Sequence, residues 1–402
     1  MSSRVANGMV LENAADPRPR KPFEPEILRV CTKTVMDNTD PDICFDAEGV
    51  SNWWHDYHRI QRGRPDPERQ AERLAEALRQ IKESGRGRNY DCILGLSGGV
   101  DSCYMVYLAK QWGLRPLIVH FDYGWDDELA VGNIEVMLKK LGFPLYTFVM
   151  DWPEFRDLQR AYFKASVLDL DVPADHMIFG ALHNVALQHG IRYILSGNNF
   201  ATEWLLPPRW YSSKFDLRNL ESIHRKFGEL PLKHLPKLGV WQRLYYERVK
   251  LIQDIKILEL IPYRKLEAKR LLVGEFGWRD YGGKHYESVF TRFYQGYWLP
   301  VKYGIDKRKA HLSNLICNGE MTREEAMEEL TKPADDPVRQ KRDFRYVAKK
   351  LGWSEAEFED ILALPPRRHE EFGTDTLQRH LAKIVATCCR PFAKVGRAIL
   401  NR

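Results

Sequence analysis

From Tyr90 onward, short apolar runs alternate with stretches whose apolar residues recur at helical spacing, the pattern of βα units that feed a parallel sheet. Residues 92–96, 116–121, 145–149 and 193–195 are predicted as strands, with helices between them over 101–112, 127–141, 154–165 and 174–189. Ahead of this block, Leu74, Leu78 and Ile81 repeat on one face of a helix over 68–84 that Gly85 stops. Behind it the helical period returns at 264–275 and 284–297. Thr322 with Glu325, and Ser354 with Glu357, have the spacing of capping boxes, each opening a further helix. The stretch 215–260 carries no clear period and is expected to be an insertion that shapes a pocket. The fold class expected is α/β: a parallel sheet with a small N-terminal module and a mostly helical C-terminal region. The expected divisions are a disordered tail (1–25), an N-terminal module and helix (26–88), the sheet domain (89–214), a substrate- or partner-binding helical region (215–335) and a helical extension (336–402).

The 402 residues are 44% hydrophobic and 29% charged, which suits a soluble globular chain with a large core and leaves disorder to the tails. The uncharged apolar runs fall far short of the roughly 20 residues that a membrane-spanning helix needs, so no span is expected. Residues 1–25 lack the basic start, apolar centre and small-residue site of a signal peptide. The seven cysteines are an odd count, so reduced thiols in the cytoplasm are expected. A net charge of +6 admits a polyanionic partner without requiring one.

The strongest chemical signal is the run Leu96-Ser97-Gly98-Gly99-Val100-Asp101-Ser102, directly after the first apolar strand and leading into a helix. Two glycines at a strand-to-helix turn let backbone approach a ligand, and the free amides of a helix start favour an anion such as pyrophosphate. Ser97 and Ser102 add hydroxyls. Asp101 beside a phosphate site is repulsive unless a divalent cation bridges the two, which points to Mg²⁺ held by Asp101. No Gly-x-x-x-x-Gly-Lys run followed by Ser or Thr occurs, which argues against ordinary kinase or GTPase chemistry.

This motif resembles the PP-loop of the N-type ATP pyrophosphatases, of adenine nucleotide alpha hydrolase-like fold, over roughly residues 90–197. The resemblance implies that Ser97, Gly98, Gly99, Asp101 and Ser102 bind ATP. It sets His120, Phe121 and Asp122, at the end of the second strand, against the adenosine, with Gly197 near the nucleotide. The following loop, with Asn198, Asn199 and Glu203, would face the reacting centre. Several further blocks agree in order: Ile261-Pro262-Tyr263-Arg264, Glu275-Phe276-Gly277-Trp278, Tyr281 to Ser288, Asp306-Lys307-Arg308, and, earlier, Val35-Met36-Asp37 and Phe45 to Val50. Together they look like the N-acetyl sugar amidotransferases of bacterial surface-polysaccharide (lipopolysaccharide O-antigen) biosynthesis. That likeness implies a reaction in which ATP activates an acetamido oxygen on a nucleotide-linked sugar and ammonia from a separate glutaminase subunit replaces it. Lys284, His285 and Glu287 would then join Ser97 and Asp101 in catalysis, with Arg292, Lys302, Lys307 and Arg308 holding the substrate and its phosphates.

Two departures from the family pattern matter. The family often opens with paired Cys-x-x-Cys knuckles, whereas this chain has Cys31-Thr32-Lys33-Thr34 and Ser51-Asn52-Trp53-Trp54. Three of four ligands are missing, so no structural zinc is expected and the Trp pair is expected to pack the module. No Gly-x-Cys-x-Gly nucleophile turn is present and Ser2 follows Met1, so a glutaminase partner is expected to supply the ammonia. Two rival readings remain: a PP-loop enzyme acting on tRNA, against which the dispersed positive residues argue, and a nucleotide-binding subunit that has lost catalysis.

Overall fold

The computed structural model describes residues 10–12, 21–283 and 286–388. Five strands, β1 (Cys92–Gly95), β2 (Pro116–Asp122), β3 (Leu145–Val149), β4 (Tyr193–Ser196) and β5 (Gln253–Lys256), form one parallel sheet in the order β3-β2-β1-β4-β5. The chain is α/β with the parallel sheet that the sequence predicts. Four strands lie where the apolar runs lie. The fifth is in the segment that carried no period, and its sequence, Gln-Asp-Ile-Lys, is that of an edge strand with most of its residues exposed.

The period of two decides which face each side chain covers. Cys92, Leu94, Leu96, Ile118 and Leu195 face a core shared with α1 (Val100–Gln111) and α2 (Glu128–Leu141). Ile93, Leu117, Val119 and Ile194 face the opposite core under α4 (Val172–Gln188). A third and larger core joins α3 (Trp152–Ala165) to 290–305 and to α5 (Pro337–Leu351) and α6 (Glu355–Ala363), with Phe163, Phe293, Trp298, Phe344 and Phe358 packed ring against ring. The expected divisions at 215 and 336 therefore share one apolar cluster. Both expected capping boxes are present, at Thr322–Glu325 and Ser354–Glu357, each with reciprocal hydrogen bonds.

Two predicted helices come out differently. Instead of one helix over 284–297, Ser288 caps a helix over Val289–Phe293 that passes into a π-helical stretch, Tyr294–Tyr303, containing Pro300. Pro300 has no N–H to give to the ladder, and the wider turn accommodates it. Likewise Lys265–Leu271 widens into Leu272–Phe276 and stops at Gly277, whose φ is +72°. The expected tail lies mostly outside the described residues, but Val10–Glu12 pairs antiparallel with Ile27–Arg29, and the Phe23 N–H donates to the Tyr303 carbonyl. In the N-terminal module Trp53 donates to Asp40 at 2.6 Å and meets Trp204 edge-on, while Tyr57 lies on Phe200, so the module braces the loop after β4. Among the described residues no helix is long and apolar enough to cross a membrane.

Candidate functional site

Between β1 and β4 the strand order reverses, and the crevice at the carboxyl ends of such neighbours is where open α/β sheets place ligands. The Ser97–Ser102 run fills that crevice. Gly98 has φ +83°, and a Cβ there would stand 2.4 Å from the Ala130 carbonyl oxygen, so only glycine brings the backbone this close to α2. Gly99 is the N-cap of α1 and no side chain caps that helix, which leaves its first-turn N–H groups for an anion. The loop is laced from inside: Ser97 N–H donates to Ser102 Oγ at 3.3 Å, Ser102 Oγ donates to the Gly99 carbonyl at 3.0 Å, and the two hydroxyls lie 3.2 Å apart. Exchanging Gly98 for alanine is expected to cost about 1–2 kcal/mol through the left-handed backbone alone, with the contact to Ala130 adding to it; the denaturation midpoint should fall and nucleotide binding with it.

The blocks separated in sequence converge on this loop. Trp278 Nε1 donates to the Gly98 carbonyl at 2.9 Å, and Asn133 clamps the Arg279 backbone by accepting from its N–H at 2.8 Å and donating to its carbonyl at 2.9 Å. The Tyr281 hydroxyl and a Glu287 carboxylate oxygen both come within about 3.3 Å of where a Gly99 Cβ would sit. Burial and the neighbouring Glu287 charge hold the Tyr281 phenol well above its ordinary pKa, so it remains a donor. Tyr263 donates its hydroxyl to Asp101, its own pKa raised by burial and then by the Asp101 charge. Gly197 completes the wall, its Cβ position 3.5 Å from the Asp101 Cβ. Tyr263, Trp278 and Tyr281 stand in the blocks that carried the resemblance, yet only the fold shows what they touch; Asn133 gave no sequence signal beyond a polar residue on an apolar helix face.

At the end of β2, His120 donates from Nδ1 to the Leu96 carbonyl at 3.0 Å, and its Nε2 lies 3.2 Å from the Asp126 carboxylate. Burial alone would depress the imidazolium, but the hydrogen bond and charge of Asp126 outweigh it and raise the His120 pKa. Phe121 is buried, and Asp122 accepts the Gly124 N–H in a turn. The 125–127 segment then runs beside 287–289: Asp127 N–H donates to the Glu287 carbonyl and Val289 N–H to the Trp125 carbonyl. Glu287 is thereby fixed between the end of β2 and the glycine loop.

Other predicted site residues do different work. Lys284 and His285 lie outside the described residues. Arg292 is buried and its guanidinium is committed to Asp127 at 2.7 Å and Asp343 at 2.8 Å, a structural clamp in place of a substrate anchor. Lys302 donates to the carbonyls of Ile361, Leu362 and Leu364 and so caps the end of α6; burial pushes its pKa down to about 8. Asn199 is spent on its own loop, accepting from the Thr202 N–H at 2.9 Å and donating to the Gly197 carbonyl at 3.1 Å. Asn198 is exposed and accepts from Ser196, and Glu203 ends the short helix Phe200–Glu203 near Tyr263. Lys307 and Arg308 line a cleft of about 200 Å³ with Gly283, Tyr286, His311, Lys332 and Arg339. The Arg308 guanidinium is braced by Asp306, whereas the nearly buried Lys307 ammonium rests over the Tyr294 ring. In the degenerate knuckle, the Cys31 sulfur accepts from the N–H groups of Lys33 and Ser51.

Residues 287–385 match the family model described as LPS biosynthesis protein WbpG-like, C-terminal domain. The chain is 29% identical over 108 residues to the tRNA(Ile)-lysidine synthase of Thermus thermophilus, covering 26% of this chain and 20% of that one, so it spans about a fifth of that relative's length. It is 24% identical over 315 residues to the uncharacterized protein MJ1599 of Methanocaldococcus jannaschii, covering 75% of this chain and 90% of that protein. Among solved structures it is similar to the NMN synthetase of Francisella tularensis, with a TM-score of 0.34 and 15% identity over 72% of this chain and 98% of the other.

Proposed function

We propose that the chain is a PP-loop ATP pyrophosphatase, an ATP-dependent, AMP-forming synthetase that converts an acetamido group of a nucleotide-activated sugar into an acetamidino group. The observation that carries the reading is the seat of Glu287. It opens the segment matched by the WbpG-like model and lies against Gly99 of the phosphate loop, so the part of the chain that matches a polysaccharide-biosynthesis protein is built onto the nucleotide site.

In this reading the first-turn amides of α1 and the Ser97 and Ser102 hydroxyls receive the β- and γ-phosphates. Asp101, in the first turn of α1 next to Ser102, is an oxygen donor of the kind that would hold Mg²⁺. When bound, the ion offsets charge on the departing pyrophosphate. Tyr263 orients Asp101, and Trp278 fixes the Gly98 carbonyl so that the loop keeps its shape as charge moves across it. The acetamido oxygen attacks the α-phosphorus and pyrophosphate leaves; ammonia then adds to the activated carbon, and the oxygen departs with AMP. Ammonia comes from a separate glutaminase subunit. The cleft lined by Lys307 and Arg308 is the proposed seat of the sugar nucleotide's phosphates, with Arg308 held in place by Asp306. The protein acts in the cytoplasm.

A substrate carrying ¹⁸O in its acetamido group tests the reaction. Label is expected in AMP, with high ammonium supporting turnover and glutamine supporting it only when the glutaminase subunit is added. ADP as product would mean a kinase, and unlabelled AMP during productive amidination would defeat the mechanism. A tRNA substrate is the second reading, favoured by the likeness to tRNA(Ile)-lysidine synthase; AMP formation that requires tRNA and ignores acetamido sugars would establish it.

A further inference from the structure

We propose that the face made by the helices Thr376–Cys388 and Val240–Arg248 docks on an anionic lipid surface. The two helices pack on each other. The first is held to the body by buried Ala382 and by Arg379, which pairs with Asp375 at 2.5 Å and Asp216 at 3.6 Å. Four of its large apolar residues point away from the protein. Leu377, Leu381, Ile384 and Val385, at spacings that form one stripe, are 67%, 45%, 59% and 42% exposed. Trp241 and Tyr245, one turn apart on the neighbouring helix, are exposed as well. Four large aliphatic side chains left in water on one helix face, beside two amphipathic rings, is an arrangement that burial in a second phase would relieve.

Charge selects the occupant. Residues 376–402 contain six Lys or Arg and no Asp or Glu, while the whole chain has 61 basic against 55 acidic residues, so this segment carries the entire net charge of +6. Past the helix, Arg390, Lys394, Arg397 and Arg402 alternate with Phe392, Val395, Ile399 and Leu400 in the sequence. A segment that combines an exposed apolar stripe with a sequence rich in cations and lacking acids fits the boundary of an anionic bilayer, where aliphatic residues enter the acyl region, Trp and Tyr sit at headgroup level and cations meet phosphate. A second copy of the chain would bring two such basic segments together and repel. A polynucleotide would use the cations but leave the aliphatic stripe in water. Neither charge nor stripe alone gives firm attachment, and here both are present.

The test is flotation of the full chain with vesicles of phosphatidylcholine alone or with added phosphatidylglycerol. Partition is expected to be at least about tenfold stronger on the anionic vesicles and to weaken as salt rises. Leu381→Asp with Ile384→Asp should lower it about tenfold or more. Replacing Lys383, Arg390, Lys394 and Arg397 by Gln should remove the preference for anionic lipid. Melting and AMP formation should be unchanged in both variants, because none of these residues touches the nucleotide site, so failure here is separable from failure of the proposed reaction. Equal partition on neutral vesicles, or anionic binding that survives the Asp pair, would overturn the proposal. So would a dimer in the parent chain that the Asp pair dissociates, or RNA binding that competes with vesicles and survives the Asp pair.

Discussion

Asp101→Asn is expected to lower AMP formation by at least about a hundredfold while leaving the melting behaviour close to that of the parent, measured by pyrophosphate release and thermal unfolding side by side. The asymmetry follows from geometry. Asn keeps an oxygen that accepts the Tyr263 hydroxyl, so the contact that closes this wall survives. What disappears is the negative charge at the start of α1, and that charge has no packing role: a carboxylate beside open helix amides and two serine hydroxyls is repulsive to phosphate unless a cation lies between them. Tyr263→Phe is the complementary variant. It removes the donor, keeps the charge and the ring, and should cost about tenfold with a raised requirement for Mg²⁺, since an undirected carboxylate still binds the ion but less well. Near-normal turnover in Asp101→Asn would remove the metal from the mechanism.

How much of this was legible in the sequence depends on the range of the contact. The βα alternation exposed four strands because each is a run of apolar residues, buried on both faces in β1 and β2 and kept apolar at Leu145, Phe148 and Val149 even in the edge strand β3, and the glycine loop announced itself because a turn of that kind needs residues without Cβ. β5 stayed hidden because, unlike the other edge strand β3, it carries a single apolar residue, Ile255, between Gln253, Asp254 and Lys256, and so has no hydrophobic signature. The widened turns at Leu272–Phe276 and Tyr294–Tyr303 were invisible for another reason, since a period of 3.6 cannot be told from a slightly longer one over ten residues. For the site, sequence marked the chemistry-bearing residue types but not their partners. Lys302 and Arg308 look alike in the sequence. Lys302 spends its donors on carbonyls at the end of α6, whereas Arg308 is held by Asp306 and by the Lys332 carbonyl at the wall of a cleft, partners that lie up to 62 residues away in the chain.

Arg292 makes the same point with the larger energetic consequence. Arg292→Met is expected to destabilise the protein by about 3–5 kcal/mol, read as a fall in the denaturant midpoint at constant slope. The guanidinium is 4% exposed and lies between Asp127 and Asp343, and its pKa is raised because both partners outweigh the cost of burial. Removing it leaves Asp343, itself 2% exposed, without its buried countercharge, and that uncompensated carboxylate is the source of the loss. Adding Asp343→Leu should therefore recover a large part of the stability, although it deletes a second ion-pairing group, because a buried pair replaced by apolar groups costs far less than a buried charge left alone. The loss should also reach the active site. Asp127 caps α2 and its N–H holds the Glu287 carbonyl, so loosening the clamp frees the segment that sets Glu287 against the glycine loop. A substrate-anchoring arginine behaves otherwise: Arg292→Met would then keep its midpoint and raise KM for the sugar alone, and that outcome would return Arg292 to the binding role its sequence context first suggested.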